Sequence, residues 1–131
     1  MLRLLTMSTK AIAFVATTKP AESLLFYRDI LGLSLIEDTP FAIVFDAFGT
    51  QLRIQKAQQL VQAPYTAFGL QVDDIDAETR RLQQLGVTFV RYPHFEQDEQ
   101  GVWTAPGGSK VAWFRDPDGN LLSLSQFAAS D

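Results

Sequence analysis

Along the chain, apolar residues alternate between two spacings. Ala11–Ala16 and Ala67–Val72 are short apolar stretches that read as strands. Each leads into a segment with helical periodicity: Ala21, Leu24, Leu25 and Leu31 in the first, Ile75, Leu82 and Leu85 in the second. Both segments end on a glycine, in Ile30-Leu31-Gly32-Leu33 and Gln84-Leu85-Gly86-Val87. Each glycine suits the left-handed position that stops a helix. Thr18 and Asp74 fit as N-caps, and Pro20 is tolerated in a first helical turn.

The glycines lie 54 positions apart, and a second echo follows at an offset of 70. Asp46-Ala47-Phe48-Gly49-Thr50-Gln51-Leu52-Arg53-Ile54 matches Asp116-Pro117-Asp118-Gly119-Asn120-Leu121-Leu122-Ser123-Leu124 in the form D-x-x-G-x-x-L-x-[IL]. This is a tight turn with glycine at positive φ, followed by a strand. Strands over Leu33–Asp38, Phe41–Phe45, Val87–Arg91 and Lys110–Arg115 fill the gaps. The chain is therefore an α+β domain over 10–127, made of two βαβββ modules, 10–58 and 64–127. They are divided by the Gln-rich stretch Lys56–Pro64. Because the offset grows from 54 to 70, the second module carries about sixteen extra residues between its helix and its last hairpin. They fall in the 92–109 segment, a length at which loops often serve as lids or binding loops.

Composition narrows the chemistry. The 131 residues are 47% hydrophobic and 20% charged, which suits one globular domain with one core. Fifteen acidic against eleven basic residues give a net charge of −4, contrary to a nucleic-acid surface. With no Cys, disulfides and thiolate chemistry are excluded. With one His, a multi-histidine metal site is excluded, and a Ser-His-Asp triad would need His94. Residues 1–9 read as a leader too short for a signal peptide or a membrane span, and Ala128–Asp131 as a solvated tail. The expected setting is the cytoplasm, with neither nucleic acid nor membrane as partner.

The repeat, with Leu25-Phe26-Tyr27-Arg28-Asp29-Ile30-Leu31-Gly32-Leu33 and Phe114-Arg115-Asp116-Pro117-Asp118-Gly119-Asn120, resembles the vicinal oxygen chelate superfamily. That group includes glyoxalase I, extradiol dioxygenases, fosfomycin-resistance proteins and bleomycin-resistance proteins. The resemblance implies curved sheets enclosing a cleft, commonly in a homodimer. It fixes fold more than activity, because the fold hosts many chemistries. Its metalloenzymes carry His, Gln or Glu at four cleft-facing strand positions, which here hold Ile12, Arg53, Ala67 and Ser123. Shifting either first strand by one residue brings in no better ligand. No metal and no other cofactor is therefore expected. Glu96, Asp98 and Glu99 beside His94 read as a charged surface loop. Asp116-Pro117-Asp118-Gly119-Asn120 lacks the twelfth-position Glu of a calcium loop, since that place is Phe127.

Strand residues alternate faces, and the register that the resemblance implies assigns the cleft side chains. Ile12, Phe14, Ala16, Gln51, Arg53 and Gln55 come from the first module. Ala67, Gly69, Gln71, Leu121, Ser123 and Ser125 come from the second. The opposite phase, including Leu52, Ile54, Phe68, Leu70, Val72, Leu122 and Leu124, belongs beneath the helices. The expected ligand-binding residues are Phe14, Gln51, Arg53, Gln55, Gln71, Trp103 and Ser123. Arg53 offers its donor fork to an acceptor or anion, with a salt bridge as the alternative. Trp103, Tyr65, Phe48 and Trp113 are candidates for an aromatic rim, or for core and dimer interface. His94 is a candidate base only if its loop folds over the cleft. The first reading is a small-molecule-binding protein of the bleomycin-resistance type. A lyase, isomerase or dioxygenase-like enzyme with a rearranged site is the alternative. An accessory module acting through protein contacts is the third.

Overall fold

The computed structural model describes residue 5 and residues 8–129; most of the leader, and residues 130 and 131 of the tail, lie outside the described residues. Module one runs β1 (Ile12–Thr17), α1 (Pro20–Leu25) with a π-helical turn (Phe26–Ile30), β2 (Ser34–Asp38), β3 (Ala42–Ala47) and β4 (Thr50–Lys56). Module two runs β5 (Phe68–Gln71), α2 (Ile75–Gln84), β6 (Trp103–Thr104), β7 (Lys110–Arg115) and β8 (Leu121–Gln126). The sheets have orders β1-β4-β3-β2 and β5-β8-β7-β6. In each, the first strand lies parallel to the last and the hairpins are antiparallel. The repeat is thus real at the level of topology.

One apolar phase of both sheets enters a single core. Leu52, Ile54, Leu122 and Leu124 are buried, and Phe68, Leu70 and Val72 pack against them. The helical segments cover this side. Phe26 meets Phe114 of the second sheet at 6.4 Å between ring centroids, and Tyr27 meets Phe45 of the first at 6.1 Å. Widening to a π turn puts the neighbours Phe26 and Tyr27 both inside, one toward each sheet. No described helix is long and apolar enough to cross a membrane.

Two expected local features differ. Thr18 does not cap α1: Lys19 stands at the N-cap without a side-chain cap bond, and Thr18 donates instead to Asp118. Asp74 does cap α2, accepting from the Ala77 amide at 3.1 Å. The strand expected over Val87–Arg91 is reduced to a bridge between Phe89 and Phe114 and one bond from the Val90 amide to the Trp113 carbonyl. The pairing with β7 resumes only at β6, which faces Val111 and Lys110. The extra residues therefore interrupt this strand in its middle and leave two short pieces on one edge.

The modules are joined by the turn before β8. Asp116 accepts from the Tyr27 hydroxyl at 2.7 Å, from the Asn120 amide side chain at 2.8 Å, and from the backbone amides of Asp118 and Asn120. Asp118 accepts from Thr17 Oγ1 at 2.5 Å, Thr18 N and Oγ1 at 2.7 Å, and Ser23 Oγ at 3.3 Å. Asn120 donates to the Ala16 carbonyl at 2.8 Å. Thr17, Ser23, Tyr27, Asp116, Asp118 and Asn120 are buried, and Thr18 is exposed.

Burial pushes the Asp118 carboxyl upward, but hydrogen bonds from Thr17, Thr18 and Ser23 together outweigh it and hold its pKa below the ordinary value. Burial first, then the Asp116 charge, raises the Tyr27 phenol well above its usual pKa, so it stays a donor. A depressed carboxyl stabilises the fold above the unfolded pKa, near 3.9, and that contribution is lost as pH falls through the lower native value. The urea midpoint is therefore expected to drop between about pH 5 and about pH 3, with a smaller drop in Asp118→Asn. Identical acid sensitivity in the two proteins would remove Asp118 as a cause.

Candidate functional site

The other phase of the strands forms a face not covered by the helices. In the first sheet Ile12, Phe14 and Ala16 stand beside Gln51, Arg53 and Gln55. Ile12 and Phe14 keep 46% and 52% of their surface exposed, large fractions for apolar residues of a paired strand. Arg53 lies among them, half-buried, with one weak contact from Nη1 to Gln51 Oε1 at 3.4 Å. Among the described residues no carboxylate lies within ion-pair distance of it, so the salt-bridge alternative does not hold.

In the second sheet Gly69 stands beside Ser123, and Ser123 beside Trp113. A Cβ on Gly69 would lie 2.9 Å from the Ser123 hydroxyl, so glycine is what lets these strands pair with Ser123 buried between them. Ser125 faces Val111, which in turn faces Trp103. Both tryptophans of the chain thus belong to this face.

The 92–109 loop folds back over it. Phe95 packs against both indoles, stacked on Trp103 at 4.5 Å and on Trp113 at 5.4 Å, with the indole centroids themselves 6.2 Å apart. Tyr92 closes edge-on against Trp113 at 5.3 Å. Gln97 fixes the loop: its amide nitrogen donates to the Val90 and Gly101 carbonyls, and its oxygen accepts from the Tyr92 amide at 2.7 Å. Asp98 accepts from the Gln100 and Val102 amides, completing a compact loop.

Beside the stack is a pocket of about 340 Å³ bounded by Tyr65, Thr66, Tyr92, His94, Phe95 and Trp113. Such a volume suits a small organic molecule. His94 lies 4.4 Å from the Phe95 ring and has no hydrogen bond to a carboxylate among the described residues.

The expected residues fall into three groups. Phe14, Gln51, Arg53 and Gln55 share the face of the first sheet, and Trp103 and Ser123 that of the second. Gln71 has the same strand phase as Gly69 but borders a different pocket, near the start of α2. Of the suggested rim, Trp103, Trp113 and Tyr65 come together, whereas Phe48 stands at that other pocket. Tyr92 and Phe95 were not singled out by sequence; the available signal was three aromatic residues in a polar loop, Tyr92, Phe95 and Trp103.

Comparison with known proteins agrees with this architecture. The family model described as Glyoxalase/Bleomycin resistance protein/Dioxygenase superfamily matches residues 10–124. No curated protein sequence matches the chain. A glyoxalase/bleomycin resistance protein/dioxygenase from Alicyclobacillus acidocaldarius aligns at TM-score 0.70 and 21% identity, covering 94% of each chain. A lactoylglutathione lyase from Agrobacterium tumefaciens aligns at 0.69 and 19% identity, over 92% of this chain and 95% of that one. A superfamily member from Sphaerobacter thermophilus DSM 20745 aligns at 0.72 and 22% identity, over 94% and 100%. At these identities the likeness is one of fold.

Proposed function

The chain belongs to the glyoxalase/bleomycin resistance protein/dioxygenase superfamily, and from that premise we propose that it binds a small aromatic or aliphatic anion on the open sheet face. The observation that carries the reading is Arg53: a half-buried guanidinium on the floor of that face, with no carboxylate partner among the described residues. A desolvated guanidinium presents a donor fork matched to a carboxylate or similar group. Phe14 and the Trp103–Phe95–Trp113 stack offer apolar surface for the body of the ligand, and Gln51 and Gln55 offer amides beside the anion.

The superfamily's divalent metal does not fit this site. Ile12, Arg53, Ala67 and Ser123 supply one hydroxyl and one repelling cation at the four ligand positions, and no group of three or more His, Cys, Asp or Glu gathers among the described residues. Binding is favoured over the enzyme alternative by the setting of His94, whose ring has no carboxylate to orient it as a base. The proposed working form is a homodimer in the cytoplasm.

Trp103 and Trp113 are both on the proposed binding face, so intrinsic fluorescence is the readout. 4-Phenylbutyrate is expected to change the emission saturably. Arg53→Ala is expected to weaken it by about tenfold, the size of one charge-assisted hydrogen bond, while binding of neutral 4-phenylbutanol is unchanged. Equal affinities of Arg53→Ala and the parent chain for the carboxylate would refute the assignment.

A further inference from the structure

The repeat makes two joints equivalent, and only one of them is latched by side-chain hydrogen bonds. At the first, the turn Asp116–Asn120 is latched to β1 and α1 through Thr17, Thr18 and Ser23. At the second, the turn before β4 faces the connection from β5 to α2. There Phe48 stands where the first joint has Asp118, and Gln71 and Val72 stand where it has Thr17 and Thr18. Arg81 stands where it has Tyr27, and it turns to Glu78 at 3.1 Å and to the Ile30 carbonyl at 3.0 Å. The Asp46 carboxylate accepts only from the Gly49 amide of its own turn, among the described residues.

At the second joint, where no such latch forms among the described residues, lies a pocket of about 360 Å³. Its floor is Leu31, Leu82 and Leu124, all buried, with Leu70 and Val72 beside them. It opens on the helix side of the second sheet, away from the Trp103–Phe95–Trp113 stack. Phe48 lines its mouth, 74% exposed and at φ 53°. A bulky side chain is uncommon at that φ, and an aromatic ring exposed there presents a free face. Asp73 lines the same mouth and makes no hydrogen bond or ion pair among the described residues, whereas Asp74 caps α2 and Glu78 is paired with Arg81.

We propose that this open joint is a second ligand site, taking a primary organic ammonium with a compact apolar body. The apolar floor buries the body, the Asp73 carboxylate faces the ammonium, and the Phe48 ring covers it. The sign of the rim excludes an anion, since three carboxylates surround one guanidinium that is already paired. The two sites therefore select opposite charges, which separates their tests.

The probe is 2-phenylethylammonium, titrated into the full chain and followed by ¹H–¹⁵N correlation spectra. Saturable shifts are expected at Phe48 and over residues 72–78, with the indole signals of Trp103 and Trp113 unmoved. Asp73→Asn, at an exposed position without a hydrogen bond, is expected to keep the fold and weaken binding by about fivefold, as for an exposed ion pair. Neutral 2-phenylethanol is expected to bind the parent chain and Asp73→Asn alike. Shifts confined to the tryptophan face, no saturation through the millimolar range, or unchanged ammonium affinity in Asp73→Asn would each overturn the proposal.

Discussion

Asp116→Ala is expected to cost about 3–5 kcal/mol of folding stability, a large part of the 5–15 kcal/mol typical of a domain. The carboxylate holds four donors at once: the Tyr27 hydroxyl, the Asn120 side-chain amide and two backbone amides of its own turn. Tyr27 has no exposed surface, so its hydroxyl cannot turn to water when the acceptor goes. Each orphaned buried donor then carries its full desolvation penalty. Tyr27→Phe removes one donor and leaves the carboxylate with three, so about 1–2 kcal/mol is expected. Urea unfolding of both variants is the measurement. A loss below about 1 kcal/mol in Asp116→Ala would mean that the turn is not what holds the modules together.

Gly101→Ala is the second large expectation, at about 2–4 kcal/mol, because two independent penalties coincide. Gly101 is buried at φ 92°, a conformation that an alanine resists. Its new Cβ would also lie 2.9 Å from the Phe89 Cβ, in the edge piece that pairs with Phe114. The loop cannot shift freely to relieve this, since the Gly101 carbonyl is one of the two acceptors of the Gln97 side chain. Loss of that anchor loosens Phe95 from the two indoles. A lowered melting temperature with red-shifted tryptophan emission is the expected pair of results. An unchanged emission maximum would show that the stack stands without the loop's present path.

Much of the fold was legible because it depends on local signals that occur twice. Gly32 and Gly86 both take positive φ, as two helix stops require. Alternation in β4 and β8 separated Leu52, Ile54, Leu122 and Leu124, all buried, from Arg53 and Ser123, but Leu121, expected to face the cleft, is buried as well. Ser123 is also buried, because Gly69 brings its neighbour strand close. The second edge strand was misjudged for a related reason: an insertion inside a strand leaves the same apolar pattern as an insertion after it. The aromatic stack was only partly visible. Trp113 reads equally well as core, and its contact with Phe95 depends on the path of a loop that no periodicity describes. Thr18 is similar. A threonine before a helix suits a cap, and only the three-dimensional approach of Asp118 shows that it is engaged elsewhere.

The latch between the modules bears on the order in which the chain can become native. Thr17 and its acceptor Asp118 are 101 residues apart, so the first module is complete in sequence long before its buried hydroxyls meet that carboxylate. During synthesis the amino-terminal half would hold Thr17 and Ser23 bonded to each other at 2.6 Å but without the Asp118 carboxylate that completes the pair, and half of a shared core besides. Closing so long a loop is entropically slow, and contacts of this separation form late. Two modules that look like interchangeable copies on paper are for this reason a single cooperative unit, native only when its last hairpin arrives.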